Sequence, residues 1–216
     1  MNTKRFSGLF DVKDIHCTLI GVGGIGSWAA LALAKMGVQH IRVFDPDRVS
    51  DENVATQLYP SETIDVSKTL ALQYTVERLT QPSIIDRCPF GILPGSDEIP
   101  PTRFLISAVD SIQARKDIWE VAKRSMWEWY IDARMSALSL TIHCVNSNHR
   151  AWYQILLDGQ DDRQIADEPC TSKATPFTGM IAGGFVTWAV AQLYRGESVG
   201  KMLCLDLTNH LCTQKI

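Results

Sequence analysis

Apolar and polar positions along the chain alternate between two periods. Cys17 to Ile20, with Val22, form a short apolar run that breaks on Gly21, Gly23, Gly24 and Gly26. Ser27 to Met36 is rich in Ala and Leu and predicts a helix, and His40 to Phe44 predicts a second strand closed by Asp45. Strand, glycine turn, helix and strand at this spacing make a parallel crossover. Residues 46–66 carry turn formers at Pro46, Asp47, Asp51, Asn53 and Pro60 and read as a long loop with a short helix. From Ser67 the apolar positions Leu70, Leu72, Val76 and Leu79 predict a helix through about Leu79, with Ser67 as its cap.

Ser83 to Cys88 predicts a short strand, and Pro89 to Pro101 a loop. Phe104 to Val109 is a continuous apolar run ending at Asp110, the pattern of a strand buried on both faces. Ile112 to Trp127 predicts an amphipathic helix. Trp129 to Ala133, Leu138 to Val145 and Trp152 to Leu157 read as strands without helices between them, which implies an antiparallel extension. Asp158 to Ser172 is polar loop. Phe177 to Tyr194 predicts a helix with Gly196 as its stop. Met202 to Leu207 and His210 to Thr213 predict a hairpin around Asn209. Residues 1–16 are polar and mixed, a short helix or arm. The expected fold is α/β, a Rossmann-like doubly wound, mainly parallel sheet with an antiparallel extension, in one domain over residues 1–216.

Composition narrows the classes. A net charge of −3 gives no general attraction to nucleic acid or membrane. The six cysteines are scattered without a C-x-x-C pair, which argues against a zinc ribbon and a disulfide scaffold. The first residues lack the apolar core of a signal peptide, and the run from Met180 to Leu193 is too short to span a bilayer. A reducing cytoplasm is the expected compartment.

The glycine turn carries the chemistry. Glycines allow a tight turn and let backbone N–H groups approach an anion, and the helix that follows adds positive charge at its N-terminus. Asp45 ends the next strand, where a carboxylate accepts hydrogen bonds from ribose hydroxyls. The stretch reads as a nucleotide site. Tight helix–strand packing is the plainer alternative for the glycines, and turn capping for Asp45.

Together the segments G-x-G-G-x-G-S at 21–27, D-x-D at 45–47, V-S-x-x-N-x-x-x-Q at 49–57 and Lys68 resemble the ThiF/MoeB/ubiquitin-activating-enzyme superfamily. Ser107 to Ser111 with Arg115, and the strand Y-I-D-A-R-M-S-A-L-S-L at 130–140, continue the resemblance, which covers about residues 5–196. It implies an adenylyltransferase that uses ATP and Mg²⁺. The substrate would be the C-terminal glycine carboxylate of a ubiquitin-like or sulfur-carrier protein. It also implies a homodimer or a heterodimer with a homologue. By the same resemblance Gly21, Gly23, Gly24 and Gly26 line the phosphates and Asp45 holds the ribose. Asn53 and Gln57 belong to the loop closing on ATP. Lys68 neutralises phosphate charge, and Asp110 holds the metal. A solvated helix lysine is the plainer reading of Lys68, and a strand end that of Asp110.

Two departures stand out. Thr56 occupies the position of an arginine that clamps the polyphosphate in the family, and Gly8 that of a second arginine in the segment after Arg5. Neither can supply a fork of charged donors. Arg48, Arg115 and Arg134 are candidate replacements, with Arg48 a loop charge and Arg115 a helix-surface charge on the plainer view. Cys170, in E-P-C-T-S-K-A-T-P, resembles the catalytic-cysteine segment of ubiquitin-activating enzymes, with Lys173 placed to lower its pKa. A loop cysteine without a role is the alternative. Cys17, Cys88, Cys144 and Cys204 lie in strand patterns and read as inert, and His143 as a packed histidine. Two other functions compete: a non-catalytic partner subunit, favoured by Thr56 and Gly8, and a relative of the tRNA threonylcarbamoyladenosine dehydratases. A nicotinamide-dependent oxidoreductase leaves the pattern from Asp47 to Lys68 without a role.

Overall fold

The computed structural model describes residues 9, 14–81, 84–93, 95, 98–161 and 175–215. The glycine turn joins β1 (His16–Ile20) to α1 (Gly26–Met36), and β2 (His40–Phe44) follows. Next come α2 (Asp51–Val54), α3 (Lys68–Leu79), β3 (Ile85–Cys88), β4 (Thr102–Ser107) and α4 (Ile112–Ala122). The second half is β5 (Trp127–Met135), β6 (Ser139–Val145), α5 (Arg150–Asp158), α6 (Pro176–Tyr194), β7 (Met202–Asp206) and β8 (Leu211–Lys215).

The eight strands among the described residues form one sheet in the order β3-β2-β1-β4-β5-β6-β7-β8. Pairing is parallel from β3 to β5 and antiparallel from β5 to β8. The fold is therefore the expected α/β sheet, mainly parallel with an antiparallel extension. Helices α1, α3 and α6 bury one face through Leu33, Leu72 and Val186, and α4 and α5 bury the other through Trp119 and Tyr153. Strand order reverses between β1 and β4, and their C-terminal ends open the crevice where such sheets take ligands.

The strand expected at Trp152 to Leu157 is instead helix α5. Its apolar run is dense enough to satisfy either period. The helical reading wins because Tyr153 and Leu157, one turn apart, are buried while Ile155 between them is 74% exposed. The antiparallel extension is therefore completed by the distant hairpin β7–β8, which pairs with β6 from Leu203 against Ile142. The helix expected to reach Trp127 stops at Ala122, and Trp127 begins β5. Its indole nitrogen returns to bond the Ala122 carbonyl at 2.7 Å.

Helix α6 is apolar all round, and glycines let it approach α1 closely. A Cβ at Gly183 would lie 2.8 Å from the Ala29 nitrogen, and one at Gly179 would overlap the Gly24 carbonyl. The N-terminal turn of α6 therefore braces the glycine turn from behind. No helix among the described residues is long and apolar enough to cross a membrane.

Candidate functional site

The glycines divide the work of the turn among them. Gly21 has a φ of +84°, and a Cβ there would sit 2.8 Å from the Ala108 carbonyl. A Cβ at Gly26 would fall inside the Gly21 carbonyl, so α1 can begin only this close to β1 if that residue is glycine. Gly24 is covered by the Met135 methyl group from the end of β5. Gly23 differs: its missing Cβ would meet nothing nearer than the Gln57 amide nitrogen at 3.9 Å. The open space over the turn lies there.

The 53–59 loop is latched over this space from three points. The Trp28 indole donates to the Thr56 carbonyl at 3.3 Å, the Leu58 N–H to Ser27 Oγ at 3.2 Å, and the Tyr59 hydroxyl to the Val22 carbonyl at 2.5 Å. Gln57 Oε1 is buried without a hydrogen-bond partner. An orphaned acceptor beside an open glycine fits a ligand with donor groups at this position. Asn53 closes a capping box on Ser50, its Oδ1 accepting from the Ser50 N–H at 3.0 Å.

Asp45 is buried at the end of β2. It accepts from the Val22 N–H at 2.8 Å and the Asp47 N–H at 2.9 Å. Burial raises its pKa, against the opposing pull of the Val22 N–H and of Lys68. Each carboxylate oxygen keeps a second lone pair for a hydroxyl donor. Lys68 is also buried, and its Nζ meets Asp47 Oδ2 at 2.8 Å. Ser67 holds the cap position of α3 without a side-chain bond. Asp110 is exposed in the turn between β4 and α4. Ser111 beside it caps α4, accepting from the Ala114 N–H at 3.0 Å. Gly21 to Gly26, Asp45, Gln57, Lys68 and Asp110 thus all gather at the C-terminal edge of the parallel strands.

Cys170, Lys173, Arg5 and Gly8 lie outside the described residues. Burial pushes the Cys17 and Cys144 thiols up, the latter to about 12, and raises Cys88 as well. No group of three or more His, Cys, Asp or Glu side chains suited to a metal occurs among the described residues.

One cluster that motif reading passed over lies next to this edge. Asp132, wholly buried on β5, is shared by Arg115 from α4 and Arg134 from β5, with the Tyr153 hydroxyl at 2.8 Å. Burial pushes the Asp132 pKa up, and the two guanidiniums outweigh it and hold the carboxyl far below its ordinary value. Arg115 also bonds the Val109 carbonyl, beside Asp110. It is therefore a core residue and not the surface charge its helix suggested. An acid and an arginine two apart within an otherwise apolar strand were the available signal.

Ubiquitin-like modifier-activating enzyme 5 of Dictyostelium discoideum is 24% identical over 215 residues, covering 89% of this chain and 56% of that protein. The tRNA threonylcarbamoyladenosine dehydratase of Haemophilus influenzae is 26% identical over 118 residues, 53% of this chain and 45% of that protein. The chain spans about half the length of the curated relatives it matches. Among solved structures, E. coli MccB with ATP superposes with a TM-score of 0.71 at 14% identity, covering 94% of this chain and 64% of that one. The PaaA crystal structure gives a TM-score of 0.68 at 21% identity, again covering 94% of this chain and 64% of the other. These likenesses establish the shared fold. The sequence profile of the ThiF family matches residues 4–214, and the chain belongs to that family.

Proposed function

We propose that the chain is an ATP-dependent adenylating enzyme whose second substrate is a peptide or protein carboxylate, in the form of a C-terminal glycine on a ubiquitin-like or sulfur-carrier protein. The carboxylate oxygen attacks the α-phosphorus of ATP, the bond to the β-phosphate oxygen breaks, and pyrophosphate leaves with that electron pair. The observation that carries the reading is the open position at Gly23, roofed by a latched loop whose Gln57 acceptor has no partner. Backbone donors at the turn and the N-terminus of α1 stabilise the phosphates. Asp45 takes the ribose, and Lys68 sits in the same rim as a buried cation.

Mg²⁺ would add positive charge to the phosphates, and it commonly uses one or two protein carboxylates with the remainder from phosphate and water. Asp110, exposed in its turn, suits that role. Asp110→Ala should weaken Mg²⁺-ATP binding while leaving metal-free nucleotide binding unchanged. Calorimetry with and without Mg²⁺ checks this, and equal Mg²⁺-ATP affinity in both proteins would remove the role.

Where the acyl group then moves to a thiol, the thiolate attacks the acyl carbonyl and AMP departs. The sequence around Cys170 supports that residue as the acceptor. Cys170→Ala should form adenylate and no thiol-sensitive adduct, read by gel with radiolabelled ATP and carrier. An adduct that survives the substitution would place the nucleophile elsewhere.

Dimerisation with a second copy or a homologue has support in the outer face of α6, where Phe177, Met180 and Trp188 are exposed in register. Sedimentation should show a species about twice 24.1 kDa, and a monomer alone at micromolar concentration would contradict it.

The tRNA threonylcarbamoyladenosine dehydratase relative motivates a second substrate class, a carboxylate on tRNA. The net charge of −3 offers that polyanion no general attraction.

A further inference from the structure

The adenylation reading leaves the pyrophosphate end of ATP short of cations, because Thr56 and Gly8 stand where arginines were expected. Arg115 does not fill the gap, since it is buried with Nη1 held on Asp132 and Nη2 on the Val109 carbonyl. Arg134 is placed differently. Its Nε donates to Asp132 at 2.6 Å and its Nη1 to Gln160 Oε1 at 2.5 Å, while Nη2 is buried without a partner. Lys116 on α4 reaches the same glutamine, its Nζ donating to the Gln160 backbone carbonyl at 2.8 Å. Two cations from two elements thus converge on the two neutral oxygens of one residue. Gln160 follows the end of α5 and is held from its own chain by its N–H to the Leu157 carbonyl at 3.2 Å.

The position suits a phosphate. Asp132 pairs in register with Ser107, the last residue of β4, so Arg134 projects beyond the end of that strand. Met135, next along β5, covers Gly24 on the α1 face, whereas Arg134 lies with Asp132 on the α4 face of the same strand end, where Asp132 is tied through Arg115 to the carbonyl preceding Asp110. A guanidinium or ammonium facing an anionic oxygen gains the attraction of a full negative charge, which a neutral amide oxygen does not supply. Polyphosphate oxygens therefore compete well against Gln160.

We propose that Arg134 and Lys116 form the cationic subsite for the pyrophosphate moiety of ATP, and that Gln160 occupies it in the free protein, its two oxygens standing in for phosphate oxygens. Binding exchanges one set of acceptors for another and involves no covalent step. The inference rests on the adenylation reading for the identity of the anion. It supplies what the chain uses in place of the two missing arginines.

The test is calorimetric titration of inorganic pyrophosphate, and separately of AMP, into wild type, Gln160→Ala, Lys116→Gln and Arg134→Gln. Thermal melts confirm that each variant is folded. Lys116→Gln and Arg134→Gln should weaken pyrophosphate binding about tenfold or more, as expected for losing a charged hydrogen bond. Gln160→Ala should tighten it, because the side-chain acceptor competing for Arg134 is gone while the backbone carbonyl on Lys116 stays. AMP affinity should stay unchanged in all four proteins. A structural role for Gln160 cannot yield tighter binding, so unchanged or weaker pyrophosphate affinity in Gln160→Ala, or full affinity in Lys116→Gln, overturns the proposal. Failure of AMP to bind wild type while pyrophosphate binding still depends on Lys116 would instead sink the adenylation reading and leave the subsite standing.

Discussion

Asp132→Ala is expected to destabilise the fold by about 3–5 kcal/mol, the range for breaking a buried ion pair from one side. Asp132 is wholly buried, and both of its oxygens carry guanidinium partners. Removing it leaves Arg115 and Arg134 facing each other without the charge that holds them together. The loss also spreads. Arg115 anchors the Val109 carbonyl, and Arg134 anchors Gln160, so the β4–α4 turn and the end of α5 loosen together. Denaturant unfolding at pH 7 checks the magnitude, and a change under 1 kcal/mol would show that the arginines find other partners. The pH dependence has a definite sign. A carboxyl held below its ordinary value contributes stability that is fully present above the unfolded value of about 3.9. That contribution is lost progressively as pH falls toward the folded value. Wild type should therefore lose stability steadily below about pH 4, and Asp132→Asn should lack this component.

Gly23→Val is expected to abolish nucleotide binding, by about 100-fold or more, with little change in stability. Among the turn glycines it separates the two effects. Gly21 has a left-handed backbone and Gly26 abuts a carbonyl, so a side chain at either strains the fold itself, while one at Gly24 displaces the Met135 methyl group. At Gly23 the space is open, with Gln57 the nearest neighbour. Added methyl groups fill the volume in which backbone N–H groups would otherwise face a phosphate. The expectation of about 100-fold corresponds to roughly 2.7 kcal/mol, comparable to losing one or two charge-assisted hydrogen bonds. Calorimetry with ATP measures the affinity, and a thermal melt measures the fold. Full ATP affinity in a well-folded Gly23→Val protein would move the nucleotide away from the turn.

The sequence was most legible where one backbone demand admits one residue type. The glycine turn could be placed to the residue because Gly21 and Gly26 each meet a carbonyl that forbids a Cβ. Strands β1, β2 and β4 were legible as short apolar runs ending at the edge where the polar residues gather. Helix α5 was not, since W-Y-Q-I-L-L is apolar at both periods and only its packing against Trp119 and Asp132 selects the helix. The partner of β6 was equally hidden. It comes from β7, more than fifty residues away, and nothing local to either strand encodes the pairing. Within the candidate site, Asp45, Lys68 and Asp110 could be read from the ends of recognisable elements. The Asp132 cluster was not, because it joins α4, β5 and α5 across the sheet end, and Arg115 looks like any charge on an amphipathic helix until β5 is laid beside it.

The central claim is adenylation of a carboxylate, and its most direct measurement is ATP–pyrophosphate exchange. The isolated chain is incubated with Mg²⁺, ATP, radiolabelled pyrophosphate and a carrier protein ending in Gly-Gly. Gly23→Val serves as the control. The expected result is label entering ATP only when carrier is present, and none with Gly23→Val. A wild-type protein that binds ATP yet exchanges no label with any such carrier, alone or with a homologous partner subunit added, would contradict the claim.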